Sequence, residues 1–162
     1  MARPTALVVE VPEAQAIYDA WVDQWEAPRG APAHVTLLVP FAPEEELRGE
    51  LQALFAAAEP FSFRLERVER FPDGTAWLAP EPSEPFVALT EALVERWPDY
   101  PPYGGIHEEI VPHLTLAQGG PELLDRILPP AEPIRSRAEE VLLLELGEDG
   151  VWRRRRTFRL GT

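Results

Sequence analysis

The same four-residue phrase occurs twice in this chain, as His34-Val35-Thr36-Leu37 and as His113-Leu114-Thr115-Leu116. Side chains alternate faces along a β-strand, so residues two apart point the same way, about 6.5–7 Å from one another. Read as strands, both phrases put an imidazole and a hydroxyl on one face. Their apolar members, Val35 and Leu37 or Leu114 and Leu116, turn into the interior. One His-x-Thr on a strand is commonplace; two copies, each closed by leucine, point to a duplicated fold.

The surroundings of the two phrases repeat as well. The first lies in a predicted strand over 33–39. A helix opening at Pro43 follows, with Glu44, Glu45 and Glu46 in its first turn and Leu47, Leu51, Leu54 and Phe55 on one face. Then come Ala58-Glu59-Pro60, a strand over 61–71, an Asp73-Gly74 turn and a strand over 75–79 carrying Trp77. The second phrase lies in a predicted strand over 113–117, followed by a short helix over 121–128. Ala131-Glu132-Pro133, a strand over about 139–146, an Asp149-Gly150 turn and a strand over 151–160 carrying Trp152 complete the series. A strand over 5–11, a helix over 12–25 and a helix from Ser83 to about Trp97 are also expected. The stretches 27–32 and 99–112 read as Pro/Gly loops, the second lining a cleft. The common order predicts half-lobes of roughly 1–98 and 99–162, related by a pseudo-two-fold within one domain over 1–162. The two histidine strands would then face each other.

Composition narrows the chemistry. The chain has 162 residues, 45% of them hydrophobic, enough for a sizeable core. It contains no cysteine, which removes thiolate nucleophiles and Cys-based metal sites, and every basic residue is arginine. Without lysine there is no Walker A loop, Schiff base or nucleotidyl-lysine. Three histidines without metal-ligand spacing make a poor zinc site. No apolar run reaches the ~20 residues that span a bilayer, and the N-terminus enters a strand pattern directly, so a cytoplasmic protein is expected. The net charge of −13 argues against capture of duplex DNA. Against it stands the cluster Arg153, Arg154, Arg155 and Arg156. This strand suits a small anion or a short RNA end, or is simply an edge protected by charge. Either Arg153 and Arg155 or Arg154 and Arg156 would face a cleft.

Two imidazoles and two hydroxyls around one small volume suit in-line phosphodiester cleavage. One histidine takes a proton from the attacking water and the other gives one to the leaving oxygen, since an ordinary pKa near ~6.5 permits both roles. Threonine hydroxyls can donate to the non-bridging oxygens. His107, beside Glu108 and Glu109, reads as a solvated loop residue. Tyr103 and Phe41 either stack on a nucleobase or pack on the body. The five tryptophans read as core or lobe-interface residues.

With these residues in view, the paired His-x-Thr-x motifs and the flank Pro112-His113-Leu114-Thr115-Leu116-Ala117 resemble the 2H phosphoesterase superfamily. The likeness is to its bacterial 2′-5′ RNA ligase or RNA 2′,3′-cyclic phosphodiesterase branch in particular. The resemblance implies a bilobal α+β fold with two antiparallel-sheet lobes, flanking helices, a central cleft and no cofactor. It makes His34 and His113 the acid and base, and Thr36 and Thr115 the phosphate binders. It also implies an enzyme that opens a 2′,3′-cyclic phosphate to a 2′-phosphate; some members ligate or cleave 2′-5′ linked RNA. The expected partner is a small phosphorylated nucleotide or RNA terminus, met by a monomer. One departure is Gln118, where the RNA-processing branch often carries a basic residue. With the acidic surface, it favours a second reading, a phosphodiesterase of a small non-RNA cyclic phosphate; a third is a non-catalytic nucleotide-binding module that keeps the cleft without turnover.

Overall fold

The computed structural model describes residues 3–47, 49–106 and 109–161. Their strands build two four-stranded antiparallel sheets. Sheet A runs in the order β2 (His34–Phe41), β1 (Thr5–Glu10), β7 (Glu140–Leu146) and β8 (Trp152–Arg159). Sheet B runs β5 (Leu114–Gln118), β4 (Thr75–Glu81), β3 (Phe61–Arg70) and β6 (Ile134–Ala138). In both, the strand that carries or follows the histidine lies at one edge. Both also draw two strands from either side of residue 98, so the lobes interlock.

β1 and β7 are near-continuous apolar runs because both faces of these central strands are covered. Leu7, Val9, Val141 and Leu143 point into the main core, where Val35, Leu37 and Phe158 join them. Ala6, Val8, Leu142 and Leu144 form a second, smaller apolar cluster on the opposite face. Among the helices, α2 (Glu50–Ala56) packs on β8 and α3 (Glu84–Arg96) on β2. Thr90 of α3 donates its hydroxyl proton to the Leu37 carbonyl at 2.8 Å.

Several predicted elements are shorter than their sequence patterns. The helix over 12–25 is a 3₁₀ turn at Pro12–Ala14, α1 (Gln15–Asp19) and a second 3₁₀ turn at Val22–Gln24. Bulky Trp21, Val22 and Trp25, weak helix formers, occupy its latter half. The helix opening at Pro43 breaks into a 3₁₀ turn at Glu44–Glu46 and α2, with Gly49 between them at φ 87°. α4 (Pro121–Leu124) stops short of Pro129. The strand β6 has no counterpart in the sequence reading. Its inward central residue is Ser136, which donates to Glu13 at 2.8 Å, so it lacks an apolar stripe. No described helix is long and apolar enough to cross a membrane.

Candidate active site

The two motifs meet because β2 and β5 are the edges by which the sheets approach, and they lie against each other. His34 opens β2, while His113 sits immediately before β5. The registers match closely. Thr36 pairs with Val8 and Leu38 with Leu7, leaving Leu37 as the extra residue of a β-bulge. Thr115 pairs with Trp77 and Ala117 with Ala76, leaving Leu116 as the extra residue of an equivalent bulge. The closing leucine of each phrase is thus the bulged residue. Each strand consequently buries two consecutive side chains, Leu37 and Leu38 or Leu116 and Ala117. A bulge bends a strand and re-aims its side chains, here just beyond the polar pair.

The histidines are held alike. His34 Nδ1 lies 2.6 Å from the Pro32 carbonyl oxygen, and His113 Nδ1 lies 2.8 Å from that of Val111. A carbonyl can only accept, so Nδ1 carries the proton in both rings, and in the neutral ring Nε2 carries the lone pair. Burial pushes the His34 pKa below its ordinary value; the bond to Pro32 opposes this, and the charge of His113 adds to the depression. The rings are therefore close enough to sense each other's protonation.

His34, Thr36, His113 and Thr115 all line one cavity of about 900 Å³ between the sheets. Aromatic rings surround His113: Phe71 at 5.1 Å and 86°, Trp77 at 5.9 Å and 68°, and Tyr103 stacked at 6.2 Å and 28°. Tyr103 also bonds to the Thr36 hydroxyl, so this one side chain touches both motifs. Burial raises its pKa, which keeps the phenol protonated. Its backbone lies in the left-handed region at φ 52°, ψ 35°, uncommon for a bulky residue and typical of functional sites. The Asp73-Gly74 turn docks beside β5, where Gly119 N donates to Gly74 O at 3.0 Å. A Cβ on Gly74 would stand 2.7 Å from the Gly119 oxygen. On sheet A, Trp152 joins the wall and is held by its N–H to the Arg29 carbonyl at 2.8 Å. Gly30 permits that approach, since a Cβ there would collide with the Trp152 carbonyl oxygen.

Of the other candidates, Tyr103 alone reaches the cavity. Phe41 is 2% exposed and packs edge-on against Trp97 and Tyr100 at 5.3 and 5.6 Å. Its ring belongs to the core: past the bulge at Leu37, Leu38 turns inward and Val39 toward the cavity, and a second register shift opposite β1 brings Phe41 back to the interior. Arg153 and Arg155 do not line the cavity either. Arg153 closes the hairpin on Asp149 at 2.6 Å, and Arg155 binds Glu44 at 2.7 Å. Simple alternation fails on β8 because Arg154 pairs with Leu144 and Arg156 with Leu143, making Arg155 itself a bulge. Arg154 shares the cavity face with Leu144, but its guanidinium lies on Glu10 at 2.7 Å, while Arg156 covers Phe158. His107 and Glu108 lie outside the described residues. Gln118 lines the cavity and donates to Thr75 at 3.2 Å. Trp25 and Trp152, read from sequence as packing residues, are part of the wall. The apolar face beneath them is visible in the sequence only as the unbroken apolar runs of β1 and β7. Among the described residues, no cluster of three His, Asp or Glu side chains is arranged to hold a metal.

The model of the 2′-5′ RNA ligase superfamily matches residues 4–150. No curated protein matches the chain in sequence. Among solved structures, apo E. coli LigT superposes with a TM-score of 0.71 at 20% identity, covering 99% of both chains. E. coli LigT complexed with 3′-AMP gives 0.72 at 16% identity over 100% of both. The protein TT0787 of Thermus thermophilus gives 0.69 at 26% identity over 97% of both. With two interlocked antiparallel sheets and a family match over nearly its whole length, the chain belongs to the 2′-5′ RNA ligase superfamily of 2H phosphoesterases.

Proposed function

We propose that the protein is a phosphodiesterase that opens a 2′,3′-cyclic phosphate, on a nucleotide or an RNA end, to a 2′-phosphate by two-histidine acid–base catalysis. The observation that carries this reading is the matched pair of Nδ1–H bonds to carbonyls two residues back. They present the same nitrogen, Nε2, of both rings for proton transfer. Complexes of E. coli LigT with 3′-AMP and with phosphate add support from the same fold.

His34 is the base, because burial and the neighbouring His113 hold its ring neutral. Its Nε2 takes a proton from water as the water oxygen attacks phosphorus. The bond from phosphorus to the 3′-oxygen breaks, and that oxygen receives a proton from His113 Nε2. The product carries a 2′-phosphate and a 3′-hydroxyl. Proton exchange with solvent then restores both rings. Thr36 and Thr115 donate to the non-bridging oxygens, and Tyr103 holds Thr36 in place while its ring fixes that of His113. No metal or cofactor enters this scheme.

The test is hydrolysis of nucleoside 2′,3′-cyclic phosphates in EDTA, with the product's regiochemistry read by phosphorus NMR. A 2′-phosphate formed without added metal is expected. Strict metal dependence, a 3′-phosphate product, or a fully active His113→Ala protein would overturn the reading.

A further inference from the structure

The phosphate site accounts for a small part of the cavity. The wall on the side of sheet A is apolar: half-buried Ala31, Val39 and Trp152 cover Ala6, Val8 and Leu144 on the face that carries His34 and Thr36. Ile106, 77% exposed, continues this apolar surface from the loop at the rim.

Charge around the cavity is equally one-sided. Among the described lining residues there is no arginine, while Glu26, Asp73 and Glu109 contribute carboxylates. The chain contains no lysine. Arg154, on the right face of β8, is already neutralised by Glu10. One imidazolium from the acid–base pair balances one phosphodiester. A second phosphate within the cavity would lie inside the ~10 Å over which charges interact at 0.1 M salt, with carboxylates and no matching cation.

We infer that the sheet A wall is a subsite for the flat, uncharged ring system of a substrate bearing one phosphodiester and no further phosphate. Such a substrate is a cyclic mononucleotide with a free 5′-hydroxyl, in preference to a strand end. The inference rests on the phosphodiesterase reading and narrows its substrate. The ring lies on Ala31 and Val39 beside Trp152.

The experiment compares three substrates of identical reacting chemistry: a nucleoside 2′,3′-cyclic phosphate, the same molecule with a 5′-phosphate, and a short oligonucleotide ending in the cyclic phosphate. kcat/KM is measured on the wild-type protein, and equilibrium binding on His113→Gln through tryptophan fluorescence. At low salt the free 5′-hydroxyl form should be favoured on the order of tenfold over the 5′-phosphate, and the gap should close as salt rises. Trp152→Ala should raise KM on the order of tenfold with kcat nearly unchanged, and Trp152→Phe should restore most of it. Arg154→Gln should leave the order of preference intact. Preference for the oligonucleotide or the 5′-phosphate, weakened by salt or by Arg154→Gln, would overturn the inference while leaving the phosphodiesterase standing. Charge-discriminating binding of the mononucleotide without turnover of any substrate would instead sink the catalytic reading and keep the subsite.

Discussion

Replacing His113, whose Nδ1 lies 2.8 Å from the Val111 carbonyl, with glutamine leaves a neutral polar side chain but removes the group proposed to protonate the leaving oxygen. One positioned acid or base contributes about 10²–10⁴ in rate, or about 2.7–5.4 kcal/mol of barrier at 1.36 kcal/mol per tenfold. His34→Gln should cost a similar amount, since its ring is held by an equivalent 2.6 Å contact to Pro32. The two losses should not add. Deprotonation of water and protonation of the leaving group belong to one displacement, so a site missing one partner gains little from the other. The double variant is therefore expected to fall well short of the summed losses, close to the worse single variant. Initial rates on a nucleoside 2′,3′-cyclic phosphate, measured at saturating substrate with thermal unfolding as a control for folding, decide the matter. A single variant within threefold of wild type would refute the catalytic assignment. Losses that add fully in the double variant would refute the concerted use of the two rings.

Other outcomes test neighbouring parts of the site and the core. Tyr103→Phe keeps the ring on His113 but loses the bond to Thr36, so kcat should fall by up to about tenfold with KM little changed in steady-state kinetics. Phe41→Ala should cost about 3–5 kcal/mol in urea unfolding without raising KM, because the ring is a core residue. Arg153→Gln and Arg155→Gln should leave kcat/KM within about twofold, since both guanidiniums face carboxylates away from the cavity. The depressed pKa of His34 makes stability pH-dependent. Between the folded value and the ordinary ~6.5 the unfolded chain binds more protons, so this contribution is complete above about pH 6.5 and is lost as pH falls through the folded value. Comparing urea midpoints of wild type and His34→Gln from pH 5 to 7 should show the wild type losing more stability on acidification; equal slopes would contradict it.

The hairpins illustrate how far local patterns carry. Both Asp-Gly turns appear where expected, with Gly74 N bonded to Phe71 O at 3.1 Å and Gly150 N to Gly147 O at 3.0 Å. Both are closed by side chains, Asp73 to the Thr75 N–H and Asp149 to the Val151 N–H. These are contacts between residues two or three apart, so the residues themselves decide them. β6 escapes a reading of the sequence because its inward residue is a serine satisfied by Glu13, far away along the chain. The same limit applies to Phe41, whose place depends on rings from the segment after α3.

Residue types and their spacing determined by themselves that an imidazole and a hydroxyl share a face in two equivalent strands, because alternation is a property of every extended backbone. They also excluded thiol and lysine chemistry. Tertiary structure alone decided that β2 and β5 meet as sheet edges, that bulges fall at Leu37, Leu116 and Arg155, and that Arg153, Arg154 and Arg155 of β8 pair with Asp149, Glu10 and Glu44. A bulge is a mismatch between two strands, and an ion pair is a meeting of distant residues. Neither is written in the local sequence of one strand, which is why the paired histidines were legible from the chain and the apolar, cation-poor wall beside them was not.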